Sequence, residues 1–321
     1  VLKIVYAGSP DISALLLKGL IDSEGVNIAA VLTSAPAPAG RSKTPQQTAT
    51  AALAREHGLC VLEPEKLDAQ IRTRIAELHA DLLVCFAYGK IFGPKFLALF
   101  PKGGINLHPS LLPKYRGCAP VPAAILAGDS ETGITVQRLA QEMDSGDILA
   151  QQTIPLNGTE TAPELLRHAA SLSIPLVCKV LSQIESGTET PKAQNHTQAS
   201  YCRAFKKEDA RMDWTQSARH LCAQVRALQG WPGTYTNASG AKLYIHQARV
   251  YECKGAQTDS EKKEPPGTVI GVDKTHGILI QTGEGVLAVQ ILQREAKKAM
   301  QWKDFLNGCR DFCGTRCTNG A

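Results

Sequence analysis

Short apolar runs alternate with segments of helical spacing through the first half of the chain. Residues 2–7, 26–32 and 59–62 have the length of strands. Residues 12–21, 46–57 and 69–79 have helical spacing, the first with an apolar face of Leu15, Leu16, Leu17 and Leu20, and predict helices. Residues 82–87 are apolar throughout, the pattern of a parallel strand buried on both faces. Further strands are predicted at 105–108, 134–139 and 148–154, a helix at 120–126, and a long closing helix at 161–186. This β-α-β rhythm predicts an α/β domain with an open, mostly parallel, Rossmann-like sheet and helices on both faces. Ligands of such sheets sit at the carboxyl ends of the strands, here beside Tyr88, Gly89 and His108.

The pattern then changes. Residues 189–207 are polar without a clear period and predict a linker between a first domain at 1–188 and a second at 208–321. In the second, 217–228 has helical spacing, and short alternating runs follow at 243–250, 267–272, 277–281 and 286–292. Strands of this length separated by turns predict a small antiparallel barrel. Residues 254–264 are charged and polar enough to form a loop.

A length of 321 residues suits two domains. No apolar run reaches the ~18 residues that span a bilayer, so no membrane is expected as a partner. The N-terminus lacks a basic region followed by a long apolar stretch, and a cytoplasmic location is the expectation. The ten cysteines include no Cys-x-x-Cys pair, and reduced thiols are predicted. Cys309, Cys313 and Cys317 are spaced by four, but Gly314 argues against the helix that would turn them toward one metal, so no metal is expected. The net charge of +5 is uneven: residues 1–200 hold 17 Lys and Arg against 18 Asp and Glu, residues 201–321 hold 18 against 12. That asymmetry suits a polyanion held by the last third.

The candidate chemistry lies at 105–120, Ile-Asn-Leu-His-Pro-Ser-Leu-Leu-Pro-Lys-Tyr-Arg-Gly-Cys-Ala-Pro. Asn106 and His108 are two residues apart, so on a strand they project from one face. An amide beside an imidazole suits a carbonyl oxygen on which charge is building. Asp144, in Met143-Asp144-Ser145-Gly146-Asp147, would raise the His108 pKa if it faced the ring, leaving a charged donor near neutral pH. The first strand is followed by Gly8-Ser9-Pro10 rather than Gly-x-Gly-x-x-Gly, which counts against a nicotinamide or flavin enzyme.

Asn106-Leu107-His108-Pro109-Ser110-Leu111-Leu112-Pro113-x-Tyr115-Arg116-Gly117 with the downstream Asp144-Ser145-Gly146-Asp147 resembles the folate-dependent formyltransferases. The likeness extends through Ala7–Asp11, Ala87-Tyr88-Gly89, Ala127-Gly128-Asp129 and Trp231-Pro232, over nearly the whole chain. It implies a Rossmann-like N-terminal domain, a C-terminal OB-like barrel, and catalysis by Asn106, His108 and Asp144 without metal. It further implies a folate site at Ser110, Leu111, Leu112 and Pro113, with Phe86, Ala87, Tyr88 and Gly89 lining the pterin pocket. Within the family the chain looks like the members that move a formyl group from 10-formyltetrahydrofolate to methionine esterified to initiator tRNA. In those members a Pro-Ala-Gly-Arg loop like that at Arg41 and Lys43 engages the acceptor-stem end. Lys206 and Lys207, with Arg203, Arg211, Arg219 and Arg226, would meet phosphates. The expected form is a monomer. One departure is Val121-Pro122-Ala123-Ala124, where the family usually has a Gln-Arg pair after Ala119-Pro120. The alternatives are a formyltransferase of amino-sugar nucleotides and a catalytically idle tRNA-binding relative.

Overall fold

In chain order the first elements are β1 (Leu2–Gly8), α1 (Asp11–Ile21), β2 (Val26–Leu32), β3 (Ala37–Pro38), β4 (Pro45–Gln46), α2 (Ala49–Glu56), β5 (Val61–Leu62), α3 (Ala69–Ala76), β6 (Leu82–Phe86), α4 (Pro94–Leu97), β7 (Gly104–His108), β8 (Arg116–Gly117), α5 (Pro120–Ala127), β9 (Glu131–Arg138), β10 (Ile148–Pro155), α6 (Ala162–Ser186) and β11 (Tyr201–Cys202). This computed structural model describes residues 1–38, 44–252 and 264–318; Arg41, Lys43 and most of the predicted 254–264 loop lie outside them. The chain divides into two units. One comprises residues 1–120, 131–155 and 164–202, the other 121–130, 156–163 and 203–321.

The first unit is built on a seven-stranded sheet ordered β10-β9-β7-β6-β1-β2-β5. β7, β6, β1, β2 and β5 run parallel, and β9 and β10 extend the sheet antiparallel. The alternation read from the sequence decides which side chain faces which layer. Val5, Ala7, Leu83 and Cys85 join Ile71 and Ile75 of α3 and Phe96 of α4 in one core. Tyr6 points the other way, its hydroxyl donating to the Ser13 carbonyl of α1 at 2.7 Å. β6 is buried at all five positions, as its unbroken apolar run requires. Capping side chains start α2 and α3: Thr48 accepts from the Ala51 amide and Asp68 from that of Ile71.

α6 is the long helix expected at 161–186. Its 25 residues are long and apolar enough, by length and composition, to cross a membrane. Its buried positions Ala170, Val177, Leu181 and Ile184 are spaced by three, four and seven, the stripe of a helix packed along one face.

In the second unit, α7 (Ala218–Ala227) is followed by β12 (Tyr235–Ala238), β13 (Ala241–Val250), β14 (Val269–Asp273), β15 (Gly277–Gln281), β16 (Val286–Arg294), β17 (Met300–Gln301) and α8 (Trp302–Asn307). The strands form an antiparallel sheet ordered β12-β13-β16-β15-β14, with β17 on β16. It curls around Met212, Trp214, Leu221, Val225, Ile280, Val289 and Phe305. Residues 314–318, which the sequence left without a role, hydrogen-bond to both outer strands. The Val269 amide donates to Thr315, and Asn237 and Thr318 exchange backbone bonds. Cys317 is buried in the core, and burial pushes its thiol up to about 12.

Gly277 begins β15 with φ +107°, and a Cβ there would lie 2.2 Å from the Val289 carbonyl oxygen. Gly277→Ala is therefore expected to destabilise this unit by about 2–4 kcal/mol, measured by denaturant unfolding.

Candidate active site

β7 and β9 pair antiparallel with Asn106 opposite Gln137 and His108 opposite Thr135. Period two therefore puts four polar side chains on one face of the sheet, while Ile105, Leu107, Ile134 and Val136 fill the other. The polar face is covered by residues 109–117 and by the turn at Asp144.

Thr135, fully buried, anchors the covering loop. Its hydroxyl donates to the Ser110 carbonyl at 2.6 Å and accepts from the Leu112 amide at 3.2 Å and from Gln151 Nε2 at 2.9 Å. Thr135→Val keeps the shape but strands these partners, and a loss of about 2–4 kcal/mol in denaturant unfolding is expected.

The imidazole of His108 is held from both sides. Nε2 lies 2.8 Å from the Tyr115 carbonyl, which can only accept, so Nε2 carries the hydrogen. Nδ1 is 3.6 Å from Asp144 Oδ2, too long for a hydrogen bond but close enough for charge to matter. Asp144 itself sits in the left-handed region at φ +52°. Its Oδ2 accepts from the Gly117 amide at 2.8 Å, and its Oδ1 accepts from Gln137 Nε2 at 2.8 Å and from Asn106 Nδ2 at 3.4 Å.

The structure thus brings Asn106, His108 and Asp144 together, but it overturns the expected charge on His108. Burial of the ring lowers its pKa more than the Asp144 carboxylate and the Tyr115 carbonyl raise it, so the net shift is downward. The resting imidazole is neutral at pH 7, with its free lone pair on Nδ1.

The expected folate residues separate into two groups. Ala87 and Gly89 are exposed at the end of β6, both with positive φ. Phe86 is buried in the sheet, and Tyr88 turns inward to stack on Phe92 at 5.4 Å. Ser110 is wholly buried with its hydroxyl donating to the Lys114 carbonyl. Leu112 is buried too, while Leu111 and Pro113 are half-buried. Ser110 and Leu112 therefore shape the loop, and of the run 86–89 the open positions are Ala87 and Gly89.

Among the expected tRNA contacts, Lys206, Lys207, Arg211 and Arg219 are exposed. Lys207 Nζ lies 5.9 Å from the ring centroid of Trp231, which is 67% exposed. Two arginines are committed elsewhere. Arg203 makes a two-pronged pair with Asp209 at 2.6 Å, which draws that carboxyl down to about 2. Arg226 donates to the Glu160 carbonyl. No group of three His, Cys, Asp or Glu placed to hold a metal occurs among the described residues.

Sequence reading missed Gly117, Thr135, Gln137 and Gln194. Thr135 and Gln137 carried a signal, as polar positions alternating with Ile134 and Val136. Gln194 carried none, because it lies in the polar stretch taken as a linker. That stretch returns to the site: β11 pairs in parallel with β8, Tyr201 beside Arg116 and Cys202 beside Gly117.

A family profile described as formyl transferase matches residues 2–181, and one for the formyl transferase C-terminal domain matches 204–310. A methionyl-tRNA formyltransferase of Treponema denticola is 48% identical over 97% of this chain and 98% of its own length. One of Treponema pallidum is 43% identical over 95% of this chain and 96% of its own. Among solved structures, HypX from Aquifex aeolicus in complex with tetrahydrofolic acid aligns with 97% of this chain and 48% of its own at 17% identity and a TM-score of 0.64. An N-formyltransferase from Helicobacter canadensis in complex with folinic acid and dTDP-3-aminofucose aligns with 92% of this chain and all of its own, at 18% identity and a TM-score of 0.64. The last two establish likeness of fold. With both profiles matched in order and relatives this similar along nearly the full length, the chain belongs to the formyl transferase family.

Proposed function

We propose that this protein transfers the formyl group of 10-formyltetrahydrofolate to the α-amino group of methionyl initiator tRNA, in the cytoplasm. The observation that carries the chemistry is the clustering of Asn106 and His108 on one polar sheet face with Asp144 on the turn that covers it. The acceptor rests on the relatives' tRNA substrate and on the exposed cations of the second unit.

The neutral amine attacks the formyl carbon, forming one C–N bond and leaving an oxyanion and an ammonium. The Asn106 amide stabilises the oxyanion. His108, neutral at rest with its lone pair on Nδ1, accepts the ammonium proton, and the Asp144 carboxylate stabilises the imidazolium so formed. That proton then passes to N10 as the C–N10 bond breaks, leaving tetrahydrofolate and the formylated amine. The exposed backbone of Ala87 and Gly89 at the strand end supplies polar groups suited to a pterin edge. The fold and the donor chemistry require no metal in this scheme.

Incubation with formylated folate and charged initiator tRNA should yield N-formylmethionyl-tRNA. Transfer to an amino-sugar nucleotide and not to tRNA would replace this acceptor with the other. Three exposed cations at Lys206, Lys207 and Arg219 imply a salt slope near −3. A fourfold rise in salt should then weaken tRNA binding about 50-fold in a filter assay and leave folate binding nearly unchanged.

A further inference from the structure

We propose that Gln194 is a positioning residue for formyl transfer, passing the hydrogen-bond polarity of a buried arginine through Gln137 to the carboxylate of Asp144. The relay starts at Arg116, which is 1% exposed although it carries a full charge. Its guanidinium donates to Gln194 Oε1 through Nε at 3.1 Å and Nη2 at 2.7 Å, to His196 Nδ1 at 3.3 Å and to the Tyr201 hydroxyl at 3.2 Å. None of these partners is a carboxylate.

A guanidinium can only donate, so the oxygen of the Gln194 carboxamide must face it and the nitrogen must face away. That nitrogen donates to the Asp144 carbonyl at 2.9 Å, to the Gly146 carbonyl at 2.7 Å and, more weakly, to Gln137 Oε1 at 3.3 Å. Gln137 is thereby oriented with its own nitrogen toward Asp144 Oδ1. One buried side chain outside the catalytic group thus does two things. It holds the left-handed turn of Asp144, a conformation that a residue with a side chain does not keep unaided, and it dictates that the group meeting Oδ1 is a donor.

Arg116 also joins the two holders of the catalytic pair, because Tyr115 offers its carbonyl to His108 and Gly117 its amide to Asp144. Asp144 is the acidic group facing the imidazole, and the flanking segment adds Cys202, whose thiol approaches the Tyr115 and Arg116 carbonyls. Without the relay the Asp144 turn relaxes and its carboxylate leaves the ring.

The inference rests on the reading of His108 and Asp144 as the proton-handling pair, so its test has an arm independent of the acceptor. Two full-length variants are compared with the wild type, Gln194→Leu and Gln194→Glu. The second keeps an acceptor for Arg116 and removes the donor to Asp144 and Gly146, so it stays folded even where leucine does not. The His108 ring is titrated by NMR, and turnover is measured with formylated folate and charged tRNA. Gln194→Leu should titrate His108 at lower pH than the wild type, and both variants should lose about 10²-fold in kcat with KM for tRNA little changed; the carboxylate added in Gln194→Glu acts on the ring itself, so that variant is read by kcat. An unchanged His108 titration in folded Gln194→Leu, or a wild-type kcat in folded Gln194→Glu, overturns the relay. A lowered titration in Gln194→Leu, with no formylation of tRNA even by the wild type, supports the relay and overturns the acceptor reading instead.

Discussion

Replacing His108 by alanine is expected to slow formyl transfer by about 10²–10⁴-fold while leaving the affinity for charged tRNA nearly unchanged. The ring is buried, so it offers no surface to a polyanion, and what its loss removes is the base that accepts the amine proton. Rapid-quench formylation and filter binding on the same preparation separate the two quantities. The Tyr115 carbonyl loses its imidazole donor in this variant, so a stability loss of about 1–3 kcal/mol accompanies the kinetic one and is read from denaturant unfolding.

The pH dependence follows from the direction of the His108 shift. A ring whose pKa is lowered by burial stays neutral down to pH values below the ordinary ~6.5. The working form is the neutral one, so the rate is lost as pH falls through the lowered pKa. In Asp144→Asn the charge that raises this pKa is gone, and the ring should titrate lower still. The amine of the acceptor has an acid limb of its own, so the ring is titrated directly by NMR. A rate that rose on acidification from pH 8 to 6 would make the imidazolium the working form and sink this assignment.

Arg116→Ala should produce the largest stability change, about 3–5 kcal/mol by denaturant unfolding. The substitution empties a fully buried site and leaves the Gln194 oxygen without a donor. Arg116→Lys should recover part of the loss and no more, because an ammonium cannot reproduce the planar fork that reaches Gln194, His196 and Tyr201 together. Lysine restoring full stability would show that charge alone, not geometry, is what the site requires.

Much of the architecture was legible because it depends on spacing. The apolar run at 82–87 could be buried on both faces in one way, and it became the central strand β6. The alternation of Asn106 and His108 placed them on one face, as it also placed Thr135 and Gln137, although those two were not recognised as part of the site. The boundaries of β15 at 277–281 matched, since a glycine opens it and a turn closes it. The tail at 314–318 was opaque because its bonds are to strands some 40 to 80 residues earlier, at Val269 and Asn237.

Local sequence by itself determined the element types, the polar face on β7 and, through the Asn-x-His-Pro-Ser-Leu-Leu-Pro motif, the kind of chemistry. It did so because periodicity and short motifs are properties of neighbouring residues. Tertiary structure alone decided the charge of His108 and the role of residues 194–202. Reading the motif as a strand end placed Asp144 beside the ring and counted only the attraction. Folding also removed the ring from water, and that loss outweighs the carboxylate. The polar stretch after α6 had no periodicity to read, because its partners are Arg116, Gly117 and Asp144, which only the folded chain brings within hydrogen-bonding distance.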